Sequence, residues 1–420
     1  MSREFDVLVL GSGVTAMTMA TALIVRKLVS PGRVAVVAES IATQSAGSAH
    51  VGSDPAAWDT RVFALSRSSQ RLLEVCGAWQ YLAGRTFAYE RMCVWDARGE
   101  AEGAASLTFD CAELNEPNLG FIVEGRALQD ASARAAAAAG VIFIEAGILD
   151  LTTADADVRL RLRDGRELRG QLLIAADGTE SRARAMLHIE TAGHTYNQDA
   201  LVAHVRTAMP HRNTAWQRFL STGPLAFLPL PDGLSSIVWS ADRAEAARLR
   251  TLDADDFNQA LTLASDGIMG ACELATPIVS FPLKLQYALH YVRPRAVLLG
   301  DAAHVVHPLA GQGLNLGLLD CAVLAEILSE GGAGFFGEQK LLRRYERRRR
   351  SENLVTATAL DGLERLFASD NELIARLRMS GLEAVGRVSF VKRQLAERAL
   401  GIGGDVPAFL TTADPPLPRR

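Results

Sequence analysis

Residues 5 to 39 constrain the fold more than any other stretch. Phe5 to Leu10 is a short apolar run ended by Gly11-Ser12-Gly13, and Val14 to Lys27 follows with helix-forming residues and no proline. That order reads as strand, tight turn and helix. After Pro31-Gly32, the β-branched run Val34 to Ala38 is closed by Glu39. Two strands joined through a helix run parallel, so a βαβ unit and a parallel sheet open the protein. Within the unit, Gly11-Ser-Gly13-Val-Thr-Ala16 is a GxGxxA form of the dinucleotide turn. Gly11 permits the turn, Gly13 lets backbone amides approach a pyrophosphate without a Cβ clash, and Ala16 keeps helix and strand close. Glu39 stands where a carboxylate accepts from ribose hydroxyls, and its charge disfavours a 2′-phosphate. The nucleotide expected here is an adenosine without that phosphate, as in FAD or NAD.

Further along, residues 41 to 60 are rich in Ala, Ser, Gly and Asp and read as a loop, and about Arg61 to Leu82 reads as a helix. Gly125 to Gly140 is again helical, and Val141 to Ala146, Val158 to Leu162 and Glu167 to Ala175 read as strands, the last two joined at Asp164-Gly165, a hairpin signal. Between Ala200 and Ser240 the character changes to alternating strands, such as Leu201 to Arg206 and Ser235 to Trp239, broken by Pro224, Pro229 and Pro231. That implies a separate antiparallel sheet. At Val297 to Leu299 a buried strand returns, and beyond Gly317 the chain reads as helical almost to Gly401. The nucleotide domain is therefore expected to be discontinuous.

Composition narrows the functional classes. With 420 residues the chain is long enough for two or three domains and an enclosed ligand. Its 44 basic and 48 acidic residues leave a net charge of −4, which argues against a nucleic-acid partner held by phosphate contacts. Five widely spaced cysteines without a CxxC pair signal neither a disulfide framework nor a zinc site. No signal-peptide pattern opens the chain, and no apolar stretch reaches the roughly 18 residues of a spanning helix. The expectation is a cytoplasmic protein with no transmembrane segment. The arginine run at 343 to 350 reads as a solvated helix face.

Two more motifs carry chemistry. Leu172-Leu-Ile-Ala-Ala-Asp177-Gly178-Thr-Glu-Ser181-Arg-Ala-Arg184 reads as a strand entering an Asp-Gly turn and a helix start. In Val297-Leu-Leu-Gly300-Asp301-Ala-Ala-His304-Val-Val-His307-Pro308-Leu-Ala-Gly311-Gln312-Gly313-Leu314-Asn315, a strand delivers Asp301 to the carboxyl edge of the sheet, where ligands bind. The glycine-rich loop behind it offers successive amides at the next helix N-terminus. His304 and His307, spaced i, i+3, lack the further ligands a metal needs and read as loop-ordering residues. Trp216, Phe219, Phe227 and Trp239 fit an apolar substrate pocket and a plain strand core equally well.

The three motifs in this order resemble the class A flavoprotein monooxygenases. Within that class the chain is most similar to the hydroxylases of ubiquinone biosynthesis, through Arg61-Val-Phe-Ala-Leu-Ser66, Leu119-Gly-Phe-Ile-Val-Glu124, Thr214-Ala-Trp216-Gln-Arg-Phe219, Gly223-Pro224 and Asp361-Gly-Leu-Glu-Arg-Leu-Phe367. The resemblance spans Asp6 to about Gly401. It implies an α/β fold: a Rossmann-like FAD-binding domain of the para-hydroxybenzoate hydroxylase kind, an inserted antiparallel β-sheet substrate domain, and C-terminal helices. The expected division is 1–75, 106–188 and 285–350 for FAD, 76–105 and 189–284 for substrate, and 351–420 for the helical segment.

Carried over position by position, the resemblance puts Gly11, Gly13, Ala16 and Glu39 at the ADP half of FAD. Arg126 goes to its phosphate region, Asp301 to the ribityl chain or phosphate region, Asp177 and Gly178 along the same cleft, and Arg61 among the cofactor-binding residues. Pro308 and Gly311, Gln312, Gly313, Leu314 and Asn315 would flank the isoalloxazine ring. Gly125 replaces a common asparagine and is expected to loosen the helix start before Arg126.

No catalytic side chain is assigned. His307 and Pro308 are the candidates nearest the ring. The activity implied is ring hydroxylation of a polyprenylated phenol, with NAD(P)H as transient reductant and O2, activated at the flavin C4a position, as co-substrate. The lipid tail of such a substrate requires a pocket open toward lipid, and the leucine-rich C-terminal helices would cover it, dock peripherally on the inner membrane, or contact a ubiquinone-synthesis complex. Ordinary amphipathic packing gives the same pattern. Two other readings remain: an FAD oxidoreductase on another aromatic or apolar substrate, and a non-catalytic subunit of such a complex.

Overall fold

The computed structural model describes residues 3–41, 58–154, 156–307, 309–331, 336–369 and 371–411. The expected βαβ unit opens it: strands Val7–Leu10 and Val34–Ala38 pair in parallel and are linked through the helix Val14–Val25. Ile142–Glu145, Leu172–Ala175 and Ala296–Leu298 extend the parallel sheet, with Val292–Arg293 antiparallel at one edge. Its central strands are buried along their whole length, as expected when helices cover both faces. Ala296–Leu298 joins this sheet more than 100 residues after Leu172–Ala175, so the domain is discontinuous.

A second sheet has nine strands and holds most of the inserted region. The order along it is His304–Val305, Val279–Ala288, Thr191–Thr207, Leu234–Asp242, Gly223–Pro229, Thr214–Leu220, Arg91–Asp96 and Ser106–Asp110, with Cys272–Leu274 also paired to Thr191–Thr207. One pairing departs from the expected antiparallel pattern, because Thr214–Leu220 runs parallel to Arg91–Asp96. The helices Arg243–Thr251 and Ala254–Ala264 pack on one face through Leu249, Phe257 and Leu261.

Several sequence expectations change. The helix read from Arg61 to Leu82 is a strand, Val62–Leu65, followed by a helix only from Arg67 to Val75 and a 3-10 turn at Trp79–Leu82. Ser66 separates strand from helix by capping: its hydroxyl accepts from the Ser69 amide. The strand survives because it pairs with Gly120–Glu124, a partner local sequence cannot reveal. Glu167 to Ala175 splits at Gln171 into two strands belonging to different sheets. Ser106–Asp110, placed with the FAD domain, instead hydrogen-bonds into the nine-stranded sheet beside Arg91–Asp96. Nor does Gly125 loosen its helix. A Cβ there would lie 2.8 Å from the Arg61 carbonyl oxygen, so glycine permits close contact between the helix Gly125–Ala139 and the segment before Val62.

The C-terminal part is helical: Gln312–Gly331, Gln339–Phe367, Glu372–Arg387, Ser389–Ala399 and Ala408–Thr411. Gln312–Gly331 alone among the described helices is long and apolar enough to cross a membrane, but 67% of that stretch is buried inside the protein. It is a core helix. The arginine run on Gln339–Phe367 is also not simply solvated, since Arg344 pairs with Glu330, Arg348 with Glu326 and Asp405, and Arg349 is buried.

Arg349 joins the network that fixes the third motif. Asp320, fully buried on Gln312–Gly331, accepts from the Gly300 amide at 3.1 Å, His304 Nε2 at 2.6 Å, Arg349 Nε at 2.7 Å and Asn353 Nδ2 at 3.1 Å. Burial alone would raise its pKa, but the charges and hydrogen bonds of His304 and Arg349 hold it well below the usual carboxylate range. Its contribution to stability is therefore present above the unfolded-state pKa of about 4 and is lost as pH falls through the depressed folded value. Asp320→Asn leaves Arg349 buried without its counter-charge and should destabilise the protein by about 3–5 kcal/mol at neutral pH. The difference from the parent should shrink below about pH 4. Chemical denaturation measures both, and an unchanged midpoint at pH 7 would refute the role.

Candidate active site

At the carboxyl edge of the parallel sheet the chain turns sharply. Gly11 has φ +112°, and a Cβ there would lie 2.2 Å from the Ala176 carbonyl oxygen at the end of the neighbouring strand. Only glycine fits. Gly13 caps the helix Val14–Val25 with no side chain satisfying the first amides, and a Cβ built on it would meet nothing within 4 Å. Those amides are the ones a helix N-terminus leaves unpaired, at its positive end. Ala16 is buried under the helix, as its packing role requires.

Gly13, Val14 and Thr15 line a cavity of about 970 Å³ that reaches from this turn to the nine-stranded sheet. Arg61 and Arg126 border it from the segment around Asp59, whose carboxylate accepts the backbone amides of Arg61 at 3.3 Å and Arg126 at 3.1 Å. The Arg61 guanidinium lies over the Phe63 ring at 4.9 Å, and Arg126 makes no ion pair among the described residues. Gly178 and Asp301 also line the cavity, and the Asp301 carboxylate is exposed and unpaired among those residues. Gly311, Gln312, Gly313 and Leu314 line it too, at the start of the helix Gln312–Gly331.

Other expected residues do not reach the cavity. Glu39, at the end of its strand, is exposed and pairs with Arg182 at 3.0 Å. The Asp177 carboxylate turns toward the following helix, accepting from Ser181 Oγ at 2.5 Å and the Ala183 amide at 3.0 Å, so it shapes the Gly178 turn instead of facing a ligand. Asn315 spends its amide on the protein: it accepts from the Ser66 amide and Ser69 hydroxyl and donates to the carbonyls of Ala64 and Gly311. It pins the glycine loop to the strand Val62–Leu65. Pro308 lies outside the described residues.

His307 is corrected outright as a candidate acid or base. It is buried, 3.4 Å from Gln198 Oε1 and edge-on to Tyr196, and does not line the cavity. Burial pushes its pKa down to about 4, so it is neutral at physiological pH.

The aromatic candidates are corrected by strand alternation. Side chains alternate across a sheet, so neighbours in sequence face opposite ways. Trp216, Phe227 and Trp239 pack under the nine-stranded sheet against Phe257 and Leu261; Trp216 borders the cavity, but its ring belongs to that core. Phe219 is on the cavity face but stacks on Phe367 at 3.8 Å. The face toward the cavity carries instead Ala215, Gln217, Ala226, Val238 and Ser240. Sequence reasoning missed them, although small residues alternating with Trp216 and Phe227 were the available signal. It also missed Tyr89, whose phenol burial pushes up to about 12, and Ala396, Ala399 and Leu400, where the helix Ser389–Ala399 borders the cavity.

Comparison with known proteins gives this arrangement its family. A family model described as an FAD binding domain matches residues 131–358. The chain is 35% identical over 408 residues to the ubiquinone hydroxylase UbiL of Rhodospirillum rubrum, covering 94% of this chain and 89% of that protein. It is 34% identical to the mitochondrial ubiquinone biosynthesis monooxygenase of Rattus norvegicus, covering 80% of each. It is 33% identical to the 3-demethoxyubiquinol 3-hydroxylase of Escherichia coli, covering 82% of this chain and 88% of that one. In fold it is similar to the p-nitrophenol 4-monooxygenase of Pseudomonas putida, with TM-score 0.71, 17% identity, and coverage of 95% of this chain and 99% of that one. The chain belongs to the class A FAD-dependent aromatic monooxygenases, in the family of the ubiquinone-biosynthesis hydroxylases.

Proposed function

We propose that this protein hydroxylates the aromatic ring of a polyprenylated phenol in ubiquinone biosynthesis, using FAD, O2 and electrons from NAD(P)H. The observation that carries the reading is the single cavity joining the unpaired amides of the Gly13 turn to a largely apolar sheet face. The residues fit FAD on two counts. A Cβ at Gly13 would project where a pyrophosphate approaches, and the helix behind it has no side chain occupying its first amides. When bound, FAD supplies the redox centre at which oxygen is activated and passed to the ring.

On this reading Gly11 and Gly13 hold the ADP half, with Arg61 and Arg126 neutralising phosphate charge. Asp301 accepts from the ribityl chain. Gly311 to Leu314 offer amides toward the ring, held by Asn315 from behind. Glu39 would have to exchange its Arg182 partner to accept from ribose. Residues 1–75, 106–188 and 285–350 would then serve FAD, apart from Ser106–Asp110, and 76–105 with 189–284 the substrate. The protein's part in the chemistry is to orient the phenol and keep the chamber dry.

The cavity reaches the surface beside Ala399, which is exposed, on the same helix that carries exposed Phe390, Val391 and Leu395. Ten exposed large apolar side chains of the described residues lie between 354 and 395, against eight elsewhere. Such a face suits a lipid bilayer from which an isoprenoid tail enters. We therefore expect peripheral attachment at the inner membrane.

Gly13→Val should fold, since nothing crowds its Cβ, yet be purified with little FAD; full flavin stoichiometry would contradict the turn assignment. Asp301→Ala should retain FAD at least about tenfold more weakly, as expected for losing a charged acceptor. Deleting the gene should cause an under-hydroxylated polyprenylphenol to accumulate, which quinone profiling detects. An unchanged profile would remove the substrate. In a flotation assay the purified protein should rise with phospholipid vesicles, and Phe390→Glu should reduce this; a protein that stays in the soluble fraction, or floats only with a protein partner, would overturn direct attachment.

A further inference from the structure

On the cavity face Gln217 and Ser240 are buried polar side chains with no hydrogen-bond partner among the described residues, and of the two only Gln217 carries a carboxamide. It is only 6% exposed, yet its carboxamide has no hydrogen-bond partner among the described residues, and it lines the cavity. The amide is therefore free to bond whatever fills the cavity, and a ligand that covers it without making those bonds binds less well. The neighbours of Gln217 on the same strand are bonded instead within the protein: Trp216 Nε1 donates to the His211 carbonyl at 3.3 Å. Arg218, one residue on and facing the opposite side, donates to the carbonyls of Leu263, Ala264 and Ala97.

Strand register shows what surrounds this amide. Gln217 lies opposite Ala226, Ala226 opposite Val238, and Val238 opposite Val202, four side chains in one cross-strand row on the cavity face. On the other side Gln217 pairs with Val94. Across the row the only polar group is Gln217, and beside it stands the smallest side chain, Ala226. Strands lie about 4.8 Å apart, so the row is an apolar strip in which the smallest side chain sits next to one amide. A planar ring fits over Ala226 and Val238 with its oxygen substituent at the Gln217 end. Val305, Val306, Leu309 and Gly311 to Leu314 line the same cavity, and the proposed function places the last four beside the flavin ring.

We propose that Gln217 is the residue that anchors and selects the phenolic hydroxyl of the substrate: its carbonyl oxygen accepts the O–H and its NH2 donates to the same or a neighbouring ring oxygen. A carboxamide is the neutral side chain that offers both functions. It orients the ring without drawing off the phenol proton, so the hydroxyl keeps activating the ring. Gln217 is a positioning residue here, and the assignment rests on the phenol reading above.

The test uses the purified FAD-loaded protein titrated with 2-geranylphenol and with its methyl ether, 2-geranylanisole, followed by the change in flavin absorbance. The parent should bind the phenol roughly tenfold more tightly than the ether, because the ether cannot donate to the Gln217 oxygen. The near-isosteric Gln217→Met should bind both about equally, with FAD content and thermal midpoint unchanged; Gln217→Ala serves as a second variant should Met pack badly. Turnover should show the loss in KM and in the fraction of NAD(P)H oxidation coupled to hydroxylation. A parent that binds both probes equally, or a Gln217→Met that keeps the full preference, would overturn the assignment while leaving a phenol hydroxylase intact. A parent that binds neither probe would remove the phenol reading itself.

Discussion

A charge with no access to water organises the centre of this molecule. Asp320 is buried and ionised, and it remains so only because Gly300, His304, Arg349 and Asn353 all point hydrogen-bond donors at it. The four partners come from three stretches: the end of a parallel strand, the start of the glycine loop, and successive turns of the long helix Gln339–Phe367. A buried carboxylate tolerates no missing donor, so those pieces hold one relative placement. Asp301 reaches the cavity because its neighbour Gly300 is tied down behind it.

Two kinds of sheet meet at that point and contribute different things. The parallel sheet ends in turns whose backbone amides and glycines leave room for an anionic ligand, a property of helix N-termini and not of any side chain. The nine-stranded sheet contributes a face of small residues, with its bulky aromatics on the reverse side as a core against two helices. Neither alone makes the site. The loop from His304 to Asn315 joins them, pairing with the second sheet at Tyr287 and held to the first through Asp320.

What the sequence disclosed follows the range of the interactions. The βαβ unit, the dinucleotide turn and the Gly300–Gly317 string were legible because each is decided within a few residues, by periodicity and by glycines that a turn requires. Gly11 is an instance, with its positive φ and its contact at Ala176. Long-range features were not legible. Val62–Leu65 is a strand only because Gly120–Glu124 pairs with it, and the aromatics at 216, 227 and 239 are core because of which face each strand turns toward the helices. Asp320 looks, in sequence, like an ordinary acid on an apolar helix. Gln217 was passed over beside the larger Trp216, although alternation alone sets the two on opposite faces.

Because the cavity face and the core are interleaved residue by residue along Thr214–Leu220, Gly223–Pro229 and Leu234–Asp242, the two are coupled in evolution. Insertion or deletion of one residue within any of these strands would exchange its inner and outer sets, placing Trp216 in the chamber and Gln217 in the hydrocarbon interior. Diversification of what this protein accepts is thereby channelled into single replacements at alternate positions. Gains and losses of chain length are left to the connecting loops.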